Sequence, residues 1–155
     1  MKRLQAFKFE LKLFPGQKRT LSGFAGSCRF VYNKALALQK ERYEQGEKKL
    51  NYASLCKQLT EWRKQPLLSW LSLSPSQALQ QSLKDLERAY QNFFMKRADF
   101  PKFKKRGVRD AFRFPQGVKV DQVHSRVFLP KMGWVRYRNS RAVQGDVCNV
   151  TISRS

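Results

Sequence analysis

Residues that build catalytic and metal centres are scarce in this sequence. Its 155 residues include one histidine, His124, and 11 acidic residues, against 32 lysines and arginines. The three cysteines, Cys28, Cys56 and Cys148, are odd in number and far apart, which argues against a disulfide framework and against a zinc ribbon within this chain. So little cysteine predicts a protein of the reducing cytoplasm.

Long apolar segments are also missing. We find no uninterrupted apolar run of transmembrane length, so a membrane partner is not predicted. Lys2 and Arg3 are followed by alternating apolar and charged residues rather than by a continuous apolar stretch, so no secretory signal peptide is predicted either.

The acidic residues are spaced in ways that do not suit a metal-dependent nuclease. Asp85 and Glu87 lie two residues apart and point in different directions on a helix, whereas a two-metal site needs several carboxylates that converge. His124 has no nucleophile paired with it in a known spacing, and we interpret it as an exposed loop residue without an acidic neighbour. We therefore predict no catalytic residue, no metal, no other cofactor and no small-molecule substrate for this chain.

Positive charge is what the sequence has in excess. The formal net charge is +21, and 41% of the residues are hydrophobic, so the chain can bury a core and is not a disordered basic tail. Residues 1–95 hold 17 basic and 7 acidic residues, and residues 96–155 hold 15 and 4, so both parts are basic. Such self-repulsion favours a bound polyanion, and nucleic acid is the first candidate.

The pattern of apolar residues predicts an α+β fold. Residues 4–14 alternate, which is typical of a strand with one buried face, and the Pro15-Gly16 pair ends it. Helical spacing follows over residues 17–43, 52–62 and 75–98, with Asn51 and Ser74 as predicted N-caps. Gly46 is the predicted stop of the first helix, and Gln77 is predicted to complete a capping box with Ser74. Short β-prone runs then occupy residues 111–114, 118–120, 126–129, 134–138 and 147–153. Because the early strand needs partners, we predict that it joins the late strands in a small β-barrel-like domain interrupted by a helical insertion.

A basic arm, residues 96–110, follows the last predicted helix. With Arg113 it supplies eight basic residues against Asp99 and Asp110. We predict phosphate contacts for all eight, which are Lys96, Arg97, Lys102, Lys104, Lys105, Arg106, Arg109 and Arg113. A merely solvated loop is the alternative. Phe93 and Phe94 are interpreted as core residues, whereas Phe100 and Phe103 either stack on bases or pin the arm to the β-domain.

Four segments together resemble the N-terminal part of TnpB-type proteins, the OrfB transposases of bacterial insertion sequences. They are SCRFVYNKALALQ (27–39), LQQSLKDLERAYQNFFMKR (79–97), FPKFKKRG (100–107) and FLPKMGWVRYR (128–138). The resemblance implies an RNA-guided DNA endonuclease whose N-terminal half binds guide RNA and reads a short motif in double-stranded DNA beside the target. It also implies a wedge domain, formed by residues 1–15 and 99–155, and a helical recognition insertion, formed by residues 16–98.

The resemblance assigns cleavage to a following RuvC-like domain, which holds Mg²⁺ on carboxylates and carries an inserted zinc ribbon. We expect that domain to lie outside this sequence and the chain to be catalytically inactive on its own. The family's motif-reading positions correspond here to Tyr52, Cys56, Ser76, Gln80 and Gln116. Gln80 and Gln116 can hydrogen-bond the edge of adenine. Such a function implies a bacterial, cytoplasmic and nucleoid-associated location.

Two alternatives stay open at this point. The protein could be a transposase that acts directly on insertion-sequence DNA, or a catalytically dead DNA-binding remnant. A converging set of carboxylates would distinguish an enzyme from a binding module.

Overall fold

Helices occupy most of the first part of the chain, and antiparallel strands occupy the second. The computed structural model describes residues 3–154. Its helices are α1 (Pro15–Glu44), α2 (Tyr52–Lys64), the 3₁₀ helix Pro66–Leu73 and α3 (Ser76–Phe94). Its strands are β1 (Leu11–Lys12), β2 (Ala111–Phe114), β3 (Lys119–Asp121), β4 (Arg126–Leu129), β5 (Gly133–Tyr137) and β6 (Val150–Ser153). The predicted α+β class is confirmed.

The early strand pairs with the late strands, as predicted. β1 lies beside β5, with Leu11 opposite Tyr137, in a four-stranded sheet of order β1-β5-β4-β3. β2 and β6 form a separate two-stranded sheet. Within residues 3–154 these sheets do not close, so the predicted barrel-like domain is instead two small open sheets. Strands of two to five residues are too short to wrap around a common axis.

The strand predicted over residues 4–14 is largely unpaired. Phe7, Phe9, Leu11 and Leu13 are half-buried and the residues between them are exposed, so the predicted alternation holds. However, only Leu11 and Lys12 belong to the sheet. The Pro15-Gly16 pair was predicted to lie between strand and helix, but Pro15 is the first residue of α1, a position where its fixed φ and missing N–H are tolerated.

Residues at the helix ends determine where α1 stops and where α2 begins. Asn51 caps α2, because its Oδ1 accepts from the Ser54 backbone N–H at 2.8 Å. Gly46 follows α1 with φ +73°, and the Glu47 N–H donates to the Arg42 carbonyl at 2.8 Å, which closes the last turn. Both predictions are confirmed.

The two ends of α3 differ from the prediction. Pro75 rather than Ser74 occupies the N-cap, and it has no side chain that could cap. The amide of Gln77, predicted to complete a capping box, instead accepts from the backbone N–H of Gln116 at 3.1 Å. The helix stops at Phe94 rather than at residue 98, because Lys96 adopts φ +59° in the position usually taken by glycine.

One hydrophobic core joins the helices to both sheets. Phe24 of α1 meets Phe112 of β2 edge to face, with 6.0 Å between the ring centroids. Each fully buried aliphatic or aromatic side chain contributes about 1.5–3 kcal/mol to the free energy of folding. Phe94, predicted to be core, is 63% exposed, because it is the last helical residue and lies past the packed stripe. The largest fully buried side chains are Val31, Leu36, Leu55, Leu59, Leu71, Leu79, Leu83, Leu86, Phe114, Leu129 and Val135.

Candidate nucleic-acid interface

The basic arm is held against α1 through its backbone. The side-chain amide of Asn33 donates to the Lys104 carbonyl at 2.9 Å, and its oxygen accepts from the Lys104 N–H at 2.7 Å. A primary amide presents a donor and an acceptor side by side, as a neighbouring β-strand would. Residue 104 is therefore fixed while its side chain stays exposed.

Aromatic rings and lysine side chains join the arm to the helices. The Lys104 Nζ lies 4.3 Å from the centroid of the Tyr32 ring, and the Lys40 Nζ lies 4.6 Å from that of Phe103. Phe100 meets Tyr90 edge to face at 5.5 Å. The arm is thus pinned to α1 and α3 and not, as one alternative had it, to the β-domain.

The far end of the arm is fixed by Asp110. Its carboxylate accepts from the Arg29 guanidinium at 3.2 Å and from the Gly107 N–H at 3.2 Å. Gly107 has φ +80°, which favours glycine at this turn. Because Asp110 is committed to Arg29, its charge is directed to α1 rather than to the arm's own cations.

Seven of the eight predicted phosphate contacts are exposed, and the eighth has a partner within the chain. Arg113 of β2 donates to Asp85 at 3.0 Å and to the Gln81 side-chain oxygen at 2.8 Å, so its guanidinium joins β2 to α3. Arg113 therefore does not belong to the exposed basic surface of the arm. The seven exposed residues are Lys96, Arg97, Lys102, Lys104, Lys105, Arg106 and Arg109.

Two of the predicted motif-reading residues contact each other on α2. Tyr52 and Cys56 are one helical turn apart and both are half-buried. Burial, together with a side-chain hydrogen bond to Cys56, raises the pKa of Tyr52 to about 12. The Nζ of Lys84, on α3, lies 5.4 Å from the centroid of the Tyr52 ring. Tyr52 therefore links the exposed side of α2 to α3.

The remaining three residues gather at the first turns of α3. Ser76 and Gln80 are four residues apart, so they share one face of the helix, and Gln80 is exposed. The Gln77 side chain holds the backbone of Gln116 beside this turn. We call the five residues Tyr52, Cys56, Ser76, Gln80 and Gln116 the polar face. Lys84, which continues this face one turn beyond Gln80, was not predicted, although helical spacing from Gln80 would have found it.

Two grooves indent the surface beside α1 and α3. One, of about 960 Å³, runs between α1 and the 3₁₀ helix and is lined by Gly23, Phe30 and Trp70 among others. The other, of about 440 Å³, lies between α3 and the β2–β6 sheet and includes Lys84, Arg113 and Cys148. None of the five polar-face residues lines either groove, although Lys84, next to Gln80 on the same face, lines the second one.

The histidine was predicted to lack an acidic neighbour, and this prediction is wrong. His124 is exposed, but its Nδ1 lies 2.9 Å from the carboxylate of Asp121, three residues earlier. Hydrogen bonds from Arg126 and His124 hold the pKa of Asp121 at about 2, below its ordinary value of 3.8. The cluster stabilises the β3–β4 hairpin rather than a reacting group.

The three thiols differ in environment, which predicts different reactivity. Burial raises the pKa of Cys28 to about 11, so roughly one molecule in a thousand is thiolate at pH 8. Cys148 is exposed. With a disulfide reagent at pH 8, we expect Cys148 to be modified rapidly and Cys28 only when the chain unfolds. Modification sites identified by mass spectrometry over time test this, with Cys148→Ser as the control; early modification of Cys28 would contradict the structure.

Two further features concern the described part of the chain. In residues 3–154, no three His, Cys, Asp or Glu side chains come together as a bound metal ion would require. Nor does any helix of this part have the length and apolar character needed to cross a membrane.

Comparisons with known proteins show which proteins the chain resembles. Residues 1–48 match a family model described as a helix-turn-helix domain of the OrfB/IS605 type. The whole chain is 61% identical to InsQ of Escherichia coli K12, named as a candidate RNA-guided DNA endonuclease, and covers 39% of that protein. A Streptomyces pristinaespiralis protein with the same functional name is 37% identical over 102 residues, which are 66% of this chain and 25% of that protein.

The predicted resemblance to the N-terminal part of OrfB, TnpB-type proteins is thereby confirmed. The chain spans well under half the length of the curated relatives it matches. Between residues 3 and 48 the structure contains β1, α1 and the start of a turn, and the next helix begins at Tyr52. The helix-turn-helix description thus fits only if α2 is included.

Proposed function

We propose that this chain is the nucleic-acid-binding module of an RNA-guided DNA endonuclease of a transposable element. In this proposal the basic arm binds phosphates of a guide RNA, and the polar face reads a short motif in double-stranded DNA. One observation supports this division above all. Exposed cations and exposed side-chain amides occupy two distinct surfaces, the arm along α1 and the first turns of α3.

The arm suits a backbone contact because its charge is both exposed and held in place. Its lysine and arginine side chains are exposed, and Asn33 and Asp110 fix the main chain. Ordering the arm before binding reduces the conformational entropy that a complex would lose. Phosphate contacts fix orientation without reading sequence, which is what a guide scaffold requires.

The polar face suits base reading because an exposed amide, Gln80, and a cation, Lys84, lie together on α3. The Gln80 side-chain amide can donate to N7 of adenine and accept from its N6 amino group, in the bidentate geometry that glutamine favours. Lys84, one turn further along, can contact the adjacent phosphate and so fix the register. Cys56 hydrogen-bonds poorly, and we assign it a packing role beside Tyr52.

The division of the chain that this function implies is also a proposal. Residues 1–15 and 99–155 form the wedge domain, residues 16–98 form the recognition insertion, and cleavage with Mg²⁺ belongs to a RuvC-like domain outside this sequence. Binding then needs no metal held by this chain, and a DNA target implies a location at the nucleoid.

Gln80→Ala tests the reading role of the polar face. We expect it to weaken binding to the preferred duplex motif by about 1–3 kcal/mol and to change binding to scrambled duplex little, because only base contacts depend on sequence. The motif is first selected from randomised duplexes, with the RNA that co-purifies with the chain present. Affinities for both duplexes are then measured by fluorescence anisotropy.

Gln91→Ala is the matched control. Gln91 is exposed on the same helix and, 11 residues on, lies on nearly the same side, about 16 Å away along the axis. We expect no effect from it on either duplex. Equal losses on the motif and on scrambled duplex for Gln80→Ala would remove Gln80 from the reading surface, and no motif preference in the unmutated chain would overturn the proposed function.

A further inference from the structure

The four-stranded sheet has an outer face that no function described so far uses. In an antiparallel sheet, directly opposite residues project to the same side, so the strand register identifies the residues of each face. The inner face carries Val127, Val135 and Tyr137, which are buried in the core. The outer face carries one row formed by Lys119, Phe128 and Trp134 and a second formed by Asp121, Arg126, Arg136 and Lys12.

Two aromatic rings and an arginine form the centre of this face. The Cζ of Arg126 lies 4.2 Å from the centroid of the Trp134 indole, and Phe128 meets the indole edge to face at 5.6 Å. Lys119 Nζ lies 5.8 Å from the centroid of the Phe128 ring. Despite these contacts Trp134 remains 40% exposed, so a flat aromatic surface is presented to solvent on a central strand.

Cross-strand packing alone does not account for this face. Pairs of aromatic and long side chains do stabilise sheets, and that explains the contact between Phe128 and Trp134. It does not explain why four cations share the face with one carboxylate, Asp121, whose oxygens already accept from Arg126 and contact His124. Aromatic rings among uncompensated cations form the kind of surface that single-stranded nucleic acid recognises, because bases stack on the rings and phosphates meet the cations.

We propose that the outer face of the sheet is a stacking platform for an unpaired base of a single-stranded RNA. The base stacks on the Trp134–Arg126 pair, and Lys119 and Arg136 contact the flanking phosphates. Paired bases are excluded, since their faces are covered by neighbouring bases within a helix. The platform rests on the proposed function and deepens it, because it assigns an unpaired segment of the guide RNA to a surface separate from the basic arm and the polar face.

Tryptophan fluorescence tests the platform without disturbing the sheet. Trp62 is buried, so Trp70 and Trp134, each 40% exposed, are the tryptophans that a ligand in solution can reach. Trp70→Phe leaves Trp134 as the one exposed tryptophan. Trp134→Phe leaves Trp70, which lines the groove beside α1. Each variant is titrated with an oligouridine of about 12 nucleotides. We expect quenching of tryptophan emission in Trp70→Phe and little in Trp134→Phe. An abasic oligomer with the same number of phosphates should quench neither.

Affinity supplies the second measurement. Trp134→Ala is expected to weaken oligouridine binding about 5- to 150-fold and to leave binding to a fully paired RNA duplex nearly unchanged, with thermal unfolding followed to confirm that the variant is folded. Unquenched emission in Trp70→Phe, equal quenching by the abasic oligomer, or equal losses on both RNAs would overturn the platform. If the chain still prefers its DNA motif through Gln80, the proposed function survives that result.

Discussion

Raising the salt concentration from 50 to 200 mM is expected to weaken binding of this chain to duplex DNA about a thousandfold. Duplex DNA serves here as a general phosphate probe for the arm, which we assign to the guide RNA, because phosphate contacts do not read sequence. The arm presents seven exposed Lys or Arg side chains, and we take about six phosphates as neutralised. Each neutralised phosphate releases condensed counterions, so the logarithm of the binding constant should fall with the logarithm of salt at a slope of about −5. Filter binding at several salt concentrations gives this slope directly.

The control for this titration is a single strand of the same length. Counterions are condensed less densely on single strands, so the slope should be shallower there for the same number of contacts, about −0.7 instead of −0.9 per phosphate. A slope near zero on duplex DNA would contradict the electrostatic basis of the proposed function, whatever the affinity.

The arrangement of the lysines explains why so much charge is available to a partner. Several of them lie over aromatic rings, as Lys104 does over Tyr32 and Lys40 over Phe103, rather than in ion pairs with carboxylates. An exposed cation such as Lys104 is held over a ring by only about 0.5–1 kcal/mol. An approaching phosphate can therefore recruit the ammonium group at small cost, and no carboxylate has to be displaced.

Elements with a clear local period could be predicted from the sequence. The bounds of β2 and β4 match the predicted runs 111–114 and 126–129, because apolar and polar residues alternate there between turn residues. The long apolar stripe of α1 and the Asn51 cap of α2 were equally readable. In each case the residues that decide the structure lie within a few positions of one another.

Features that depend on distant partners could not be predicted. The Gln77 amide was expected to cap its own helix, but it holds Gln116, 39 residues later, which competes for the same oxygen. Whether the sheets close into a barrel depends on strand lengths and register, and the extended segment before Leu11 lacked a partner strand to complete a ladder. Local sequence carries no information on either point.

The candidate site shows the same division. The cluster of basic residues was evident from the sequence, and most of them are exposed as expected. Arg113 differs because Asp85, 28 residues earlier, is brought beside it when β2 packs on α3. Asn33 fixes the arm by bonding the backbone of Lys104, 71 residues later in the chain. Nothing in the sequence around Asn33 predicted this contact. Predicting which basic side chain lacks an acidic partner requires knowing which helices and strands pack together, and the composition of one segment does not give that.

Lys104→Ala combined with Lys105→Ala is expected to weaken binding about 60-fold at 0.1 M salt and to reduce the salt slope by about two units. Both side chains are exposed, and Asn33 holds residue 104 through backbone atoms that alanine retains. The substitutions therefore remove two charges without releasing the arm. Because phosphates carry no sequence information, the loss should be the same on the motif and on scrambled duplex.

Lys48→Ala with Lys49→Ala is the matched control, and it separates a local contact from net charge. These two adjacent lysines are also exposed, and the Lys49 Nζ lies 5.2 Å from the centroid of the Tyr90 ring, much as Lys104 lies over Tyr32. Both double variants lower the net charge by two. If the arm binds phosphates directly, the slope should change with the arm variant and stay nearly constant with the control. Equal changes in slope for the two variants would mean that the charge acts only through the overall field of the chain, and the arm would then have no specific role.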